Sequence, residues 1–234
     1  MNSSLTASGI SLNGNAEMLA YPEHPDFTGY YTPLSEMPEA VKELFTYNPD
    51  KAKKLLAEAG YPNGFTFKVQ VCSCSTEHMD LLPLVAGYLE QVGVKLDIQP
   101  MEYAAFYSVM SNKTHAAGYF MNIGNTNPLG ALQKNFVTGA RWNPSMWADP
   151  AFDQKMKDLY QERSEDKRKA MVKQFNAEIL AQAPHIWMPQ PRYFTVWWPW
   201  VKNYDGELTA GAVRPGPIYA RLWIDQDLKK KMGY

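Results

Sequence analysis

The stretch YNPDKAKKLLAEAGYPNGF, Tyr47–Phe65, decides the fold because it specifies a helix, a turn and the start of a strand. Asn48 is a favourable N-cap, and Pro49 suits the first helical turn. Apolar residues at i, i+3, i+4 and i+7 give the helix one apolar face, and these are Ala52, Leu55, Leu56 and Ala59. Gly60 occupies the usual left-handed C-cap position, and Pro62-Asn63-Gly64 is typical of a turn.

The residues that follow predict a βαβ unit. Alternating apolar residues from Phe65 to Val71 and from Val94 to Ile98 indicate two strands, each with one buried face. Between them, residues 76–91 have the apolar periodicity of a helix, which Pro83 is expected to kink or to start late. Two strands joined by a helix pair in parallel with a right-handed crossover.

The rest of the chain continues the α/β pattern. A third strand, 116–123, is apolar on both faces and is therefore predicted to be central in the sheet. The remaining predicted elements are a helical turn at 39–45, helices at 103–110, from Asp149-Pro150 and from Ser164, and strands at 186–188 and 195–201. The predicted fold class is α/β, with a mixed sheet flanked by helices.

Composition excludes several function classes. The 234 residues carry a net charge of -1, which gives no long-range field for nucleic acid or an anionic membrane. The sequence contains no window of about 18 apolar residues, so it predicts no membrane span. The first 19 residues lack the basic and apolar regions of a secretory signal.

The two cysteines, Cys72 and Cys74, come at the end of a predicted strand. Side chains at i and i+2 of a strand lie about 6–7 Å apart, which is unfavourable for a disulfide. We therefore expect two small, half-buried residues and no zinc site.

No catalytic or cofactor motif is present in the sequence. The four histidines have no HxxxH or HExxH spacing, and there is no GxSxG elbow, GxGxxG fingerprint or phosphate-binding P-loop. His185 is expected to be hydrogen-bonded and half-buried. The sequence therefore predicts a protein that is not an enzyme and has no cofactor and no metal.

The first candidate binding region follows the third strand. It contains Tyr119, Asn122, Asn125 and Asn127, with Pro128 closing the turn. Ligands of open α/β sheets dock at the carboxyl ends of central strands, and asparagine offers both a donor and an acceptor to a polar or peptide backbone. Alternatively, these asparagines only satisfy their own turn.

The second candidate is the Arg141-Trp142 pair. The guanidinium can hold a carboxylate while the indole stacks on an apolar part of the ligand. Alternatively, the pair belongs to an exposed loop that Trp142 anchors to the core.

Several segments, in order, resemble the peptide/nickel-type solute-binding proteins of ABC importers (extracellular solute-binding family 5). These segments are LAEAGYPNGF, YLEQVGVKLDIQPMEY, GYFMNIGNTNPLGAL, NPSMWADPAFDQKM and SEDKRKAMVKQFNAEILAQAPHIWMPQ. The similarity as a whole runs from about Ala20 to the C-terminus. The resemblance implies part of a two-lobed, type II periplasmic-binding-protein-like clamshell that captures a peptide or similar small solute and delivers it to membrane permease subunits.

The resemblance also implies a domain organisation. Residues 1–46 are expected to be an irregular lead-in and 47–201 the α/β second lobe, while 202–234 would return to a first lobe that is largely absent from this chain. The chain is then expected to begin inside its parent protein, whose location would be periplasmic or extracytoplasmic.

One departure from the family's sequence pattern concerns how the ligand is bound. Peptide-binding relatives often have an aspartate after the third strand that pairs with a ligand ammonium, but residues 117–148 contain no Asp or Glu. We therefore expect an uncharged or differently oriented ligand. The alternative function is a freestanding protein-interaction module whose docking surface includes Trp197, Trp198 and Trp200.

Overall fold

The computed structural model describes residues 15–115, 118–120, 127–191, 194–207 and 216–234. The chain divides into two compact units, Met1–Pro191 and Arg192–Tyr234. Each unit is described by itself.

The first unit alternates strands and helices. Its strands are β1 Ala16–Glu17, β2 Phe65–Cys72, β3 Val94–Met101, β4 Gly118–Phe120 and β5 Gln190–Pro191. Its α-helices are α1 Glu39–Leu44, α2 Pro49–Glu58, α3 Thr76–Glu90, α4 Tyr103–Asn112, α5 Pro128–Phe136, α6 Pro150–Gln161 and α7 Glu165–Gln182. A 3-10 turn spans Leu34–Glu36.

The main sheet has the order β3-β2-β4 in the described part of the chain, and both of its pairings are parallel. In its register, Phe65 lies opposite Val94 and Val71 lies opposite Phe120. The predicted parallel βαβ unit is confirmed. The prediction that the third strand is central was wrong for the described residues, where β2 is central and β4 pairs with β2 alone. Apolar faces report what covers a strand above and below, and they do not report how many strands pair with it.

The decisive stretch folds as its sequence predicts. The Asn48 side chain accepts a hydrogen bond from the Lys51 backbone N–H at 3.0 Å, which caps α2. Gly64 has φ +72°, and a Cβ at this position would lie 1.8 Å from the carbonyl oxygen of Gly93. The turn before β2 therefore requires glycine, because the backbone that precedes β3 passes directly against it.

Three apolar clusters hold the described part of the first unit together, and one of them joins Ala20, Met37, Val41 and Leu180. Val69, Val71 and Leu82 pack α3 onto β2. The largest cluster joins helices α5, α6 and α7, and its buried members are Leu132, Phe136, Phe152, Met156, Leu159, Val172, Phe175 and Ile179. The α6 and α7 starts are capped as predicted by Asp149 and Ser164.

The cysteine prediction was wrong, because Cys72 and Cys74 form a disulfide. Strand β2 ends at Cys72, and the chain turns through residues 73–74. The turn brings the two Cα atoms to 5.1 Å, within the range that a disulfide bridges. The expected 6–7 Å spacing would apply only if Cys74 continued the strand.

Other sequence predictions also needed correction. Helix α3 begins at Thr76 and contains Pro83, so the proline does not mark a late start. No strand forms at 186–188, where Trp187 instead packs against Tyr21 at 5.3 Å between ring centroids. Trp187 packs against the core clusters, whereas Ile186 is 73 % exposed. Helix α5 was not predicted.

The second unit contains β6 Val201–Lys202 and β7 Trp223–Ile224, which pair antiparallel. Its helices are α8 Gly216–Tyr219 and α9 Gln226–Lys231. The rings of Trp198 and Trp200 stack with centroids 4.6 Å apart, and Tyr234 lies 4.9 Å from each. The predicted strand at 195–201 is reduced to β6, because the tryptophans before it pack with one another rather than in a sheet.

Candidate functional site

The first candidate region starts at the carboxyl edge of the main sheet. Since β2, β3 and β4 are parallel, their carboxyl ends meet at one edge. Tyr119 lies in β4 opposite Gln70, and only its backbone is described. Asn122 and Asn125 lie outside the described residues. Their roles in ligand binding stay predictions.

Asn127 lies at the start of α5, where its side chain caps the helix. Its Oδ1 accepts a hydrogen bond from the Gly130 backbone N–H at 2.6 Å. This bond satisfies an N–H that has no partner within the helix. Asn127 therefore serves its own turn in this structure, and its contact with a ligand stays a prediction.

The second candidate pair, Arg141 and Trp142, is part of a larger group of side chains. The Trp142 ring lies edge-on to Tyr107 of α4, with centroids 5.7 Å apart. The Lys134 Nζ atom of α5 lies 5.2 Å from the centroid of Trp142. The Arg141 guanidinium carbon lies 5.6 Å from the ring of Tyr107 and 5.8 Å from that of Trp142. We call Tyr107, Lys134, Arg141 and Trp142 the Trp142 cluster.

Tyr103 connects the Trp142 cluster to the carboxyl edge of the sheet. It is the first residue of α4, which begins directly after β3, and it is 58 % exposed. Its ring centroid lies 6.0 Å from that of Tyr107, one helical turn further on. Three aromatic rings therefore extend from the sheet edge to Trp142.

The loop that carries Arg141 and Trp142 is ordered by a buried asparagine. Asn143 is fully buried, and its Nδ2 donates to the Trp147 carbonyl oxygen at 2.7 Å. Its Oδ1 accepts from the Ser145 hydroxyl at 3.0 Å. The Thr138 N–H also donates to the Asp153 carboxylate of α6 at 2.9 Å. The loop is therefore fixed at both ends before any ligand arrives.

The electrostatics of the Trp142 cluster favour an anion. Partial burial lowers the pKa of Lys134, because desolvation disfavours its charged form. Residues 117–148 contain Lys134 and Arg141 but no acidic residue. The guanidinium offers a planar set of donors, with one contact of 3.5 Å to the Ser111 hydroxyl.

Sequence reasoning missed Tyr103, Tyr107 and Lys134 as candidate site residues. Tyr103 and Tyr107 lie at i and i+4 of α4, and their spacing alone does not distinguish them from the buried Phe106 and Met110 of the same helix. Lys134 belongs to α5, which was not predicted. In the described residues no three His, Cys, Asp or Glu side chains come together as metal ligands. Nor does any helix described there have the length and apolar character needed to cross a bilayer.

The profile of the bacterial extracellular solute-binding proteins, family 5 (middle region), matches residues 10–144. The chain belongs to this family. The matched region includes the main sheet, helix α5 and the Trp142 cluster.

Two curated relatives differ in what their names say they bind. The glutathione-binding protein GsiB of Pectobacterium atrosepticum is 26% identical over 220 residues, which are 86% of this chain and 41% of the relative. Heme-binding protein A of Haemophilus influenzae is 29% identical over 172 residues, 68% of this chain and 30% of that protein. This chain therefore spans less than half the length of either relative.

Solved structures of periplasmic binding proteins share the fold. The Helicobacter pylori protein DppA in complex with the peptide STSA superposes with a TM-score of 0.73 at 20% identity, covering 94% of this chain and 41% of that one. The protein AppA from Clostridium difficile gives 0.70 at 18% identity, covering 96% of this chain and 45% of that one. The fold class predicted from sequence, a type II periplasmic-binding-protein-like α/β fold, is confirmed.

Proposed function

We propose that this chain is part of the substrate-binding component of an ABC importer that captures a peptide or similar small solute. Family membership over residues 10–144 is the observation that carries the proposal. The arrangement of the main sheet supports it, since the carboxyl ends of three parallel strands offer one edge for a ligand.

The proposed mechanism is capture by enclosure between two lobes. Residues 47–201 would form the second lobe, 202–234 would return to the first lobe, and 1–46 would be the lead-in segment. Ligand contacts on both lobes stabilise the closed state relative to the open one, so binding shifts the population toward closure. The closed form then delivers its ligand to the permease subunits. A lone lobe supplies only part of these contacts, so its affinity should be lower.

The proposed ligand residues are Tyr119, Asn122, Asn125, Asn127, Arg141 and Trp142. The exposed aromatic rings beside the sheet edge support this set, because such rings offer a ligand contact area at low conformational cost. We also propose that the protein acts without catalysing a reaction, requires no cofactor and works in the periplasm or outside the cytoplasmic membrane. The family consists of extracellular binding proteins, which supports the location and a binding rather than a catalytic role.

A ligand panel tests the proposal. The chain, extended upstream to include the first lobe, is screened by thermal shift against di- and tripeptides, glutathione and haem, and hits are measured by calorimetry. We expect at least one saturable ligand and a clear loss of affinity in the 234-residue chain alone. An extended protein that binds none of these compounds would contradict the proposal.

The same panel tests whether the free amino group of the ligand contributes to binding. Because no acidic residue lies in 117–148, we expect free and N-acetylated dipeptides to bind similarly. A strong dependence on the free amine would show that the ammonium is paired by residues elsewhere.

The exposed aromatic residues of the second unit support a different function, a freestanding protein-interaction module. Trp197 is 43 % and Trp198 51 % exposed, whereas Trp200 is buried. In the importer proposal the first lobe covers this surface. Replacing Trp198 by alanine should then lower the unfolding temperature of the extended protein more than that of the 234-residue chain, in which its contacts with Trp200 and Tyr234 are lost. Equal decreases in the two proteins would favour the interaction module.

A further inference from the structure

We propose that the Trp142 cluster, together with Tyr103, is a subsite for a carboxylate carried next to an aromatic or other planar group of the ligand. This inference rests on the proposed solute-binding function and specifies the chemistry that the site recognises. Four observations carry it: the ring contacts, the two cations, the absence of acidic residues in this segment, and the preordered loop.

The ring contacts define where a planar group would lie. Tyr103, Tyr107 and Trp142 form consecutive contacts of 6.0 and 5.7 Å between centroids. Tyr103 is largely exposed at the sheet edge, while Tyr107 and Trp142 are half-buried. A planar ligand group can therefore stack on an exposed face, while the buried edges hold the rings in place.

The two cations define where the anion would lie. Lys134 and Arg141 approach the Trp142 ring from different elements, helix α5 and the following loop. The Arg141 guanidinium offers its N–H donors in one plane, and stacking against an aromatic ring does not consume them, because the ring interacts with the charge rather than accepting strong hydrogen bonds. A carboxylate that contacts Arg141 gains charge-assisted hydrogen bonds from it, and the positive charge of Lys134 beside the same indole adds to the attraction.

The segment that carries both cations is positively charged. The segment 117–148 carries two positive charges and no negative charge, although the whole chain has a net charge of -1. Partial burial lowers the pKa of Lys134, and a bound carboxylate would reverse that effect by stabilising the ammonium. Binding of an acid should therefore be favoured at low salt, because the site is only partly screened from solvent.

The site lies within reach of Asn127, one of the proposed ligand residues. Asn127 caps α5 and precedes Lys134 by seven residues, a rise of roughly 10 Å. A ligand of dipeptide length spans this distance, so its backbone can contact the start of α5 while its acidic end contacts the cations. The orientation places the ligand's carboxyl end, rather than its amino end, on this lobe.

The test uses matched probes on the 234-residue chain. N-acetyl-glycyl-phenylalanine supplies a ring and a carboxylate, its C-terminal amide removes only the charge, and N-acetyl-glycyl-glycine removes only the ring. Binding is measured by ligand-observed NMR at low and at physiological salt. We expect the acid to bind about tenfold more tightly than either of the other two probes, and the acid-to-amide ratio to decrease with salt.

Substitutions assign the preference to the cluster. Arg141→Ala, alone and with Lys134→Ala, should bring the acid-to-amide ratio close to one, and Arg141→Lys should retain part of it. Lys157→Ala, which removes an exposed lysine of α6, is the matched control and should leave the ratio unchanged. Circular dichroism and urea unfolding confirm that each variant folds.

Three results would overturn the inference: no binding of the acid by the unmodified chain, equal binding of acid and amide, or an unchanged ratio in the double variant. The importer function would survive each of them if the extended protein still binds a peptide from the panel. Absence of any ligand for the extended protein would instead contradict the proposed function, so the two failures are distinguishable.

Discussion

The Asn143 side chain donates a hydrogen bond to the Trp147 carbonyl oxygen at 2.7 Å and thereby closes the loop that presents Arg141 and Trp142. Its oxygen accepts from the Ser145 hydroxyl, and Nδ2 also lies 3.4 Å from the Val137 carbonyl. One buried amide therefore satisfies three polar groups of a loop that has no regular secondary structure. The geometry of the Trp142 cluster depends on this residue, although Asn143 is not part of the cluster.

Replacing Asn143 by alanine should destabilise the protein by about 2 kcal/mol, because its partly buried partners in the loop lose their hydrogen bonds. Urea unfolding measures the loss. Asn112→Ala is the matched control, since Asn112 is exposed and its side chain bonds to Ser108 one turn away on the same helix. A cost for Asn143→Ala that is no greater than that of the control would contradict the assigned role.

Two glycines that precede β2 allow a matched pair of substitutions. Gly60 and Gly64 have positive φ values of +91° and +72°, but a Cβ at Gly60 would meet nothing within 4 Å, whereas one at Gly64 would overlap the Gly93 carbonyl. Gly60→Ala should therefore cost about 1 kcal/mol of conformational strain. Gly64→Ala should cost about 3 kcal/mol or more, because the strands must also separate. Equal unfolding free energies for the two variants would show that the close approach of Gly64 to the Gly93 carbonyl does not contribute to stability.

Local signals in the sequence predicted much of the fold. The caps at Asn48, Asp149 and Ser164 act within three residues of themselves, so each one can be identified without knowing the tertiary structure. The parallel pairing of β2 and β3 was likewise predictable, because a single helical crossover leaves one favourable arrangement.

Long-range contacts were not predictable in the same way. Tyr107 and Trp142 belong to different elements, and no periodicity connects them, so the Trp142 cluster is visible only when α4 and the 137–147 loop are placed together. Arg141 and Trp142 were identified as neighbours in sequence, but Lys134 was not, because helix α5 was not predicted. The disulfide was missed for a local reason, since its formation depends on where β2 ends.

The Cys72–Cys74 disulfide predicts that the native protein has no reactive thiol, because these are its two cysteines. Closing so short a loop should contribute about 1.5 kcal/mol through the unfolded state. Ellman titration in denaturant should detect thiols only after reduction, and the double variant Cys72→Ser with Cys74→Ser should unfold like the reduced protein. Two titratable thiols in the unreduced, denatured protein would contradict the bond.

Glu23 should make the protein less stable as the pH rises. Its carboxyl group is fully buried, neither oxygen has a hydrogen-bond partner among the described residues, and burial raises its pKa from 4.5 to about 8. Between pH 4.5 and about 8 the folded state retains a proton that the unfolded state has lost, so stability decreases with pH across this window. Glu23→Gln should remove this dependence, which amounts to up to about 4 kcal/mol by pH 8. Urea unfolding at pH 5, 6.5 and 8 measures it, and parallel profiles for the two proteins would contradict the assignment.

His185 should make the protein less stable as the pH falls, which is the opposite of the effect of Glu23. Contrary to the sequence-based expectation, neither ring nitrogen is hydrogen-bonded within the described residues, and the imidazole packs between Phe136 and Trp187 at 5.2 and 5.0 Å. Burial lowers its pKa from 6.5 to about 4.

The unfolded state therefore binds a proton between pH 6.5 and about 4 that the folded state does not bind, and stability decreases as the pH falls through this window. His185→Gln should flatten the acid limb of the stability profile by up to about 3 kcal/mol and leave the limb above pH 6.5 unchanged. Glu23→Gln is the internal control, because it should change the profile mainly above pH 4.5 and keep the contribution of His185. An acid limb that persists in His185→Gln would assign the proton uptake to another group.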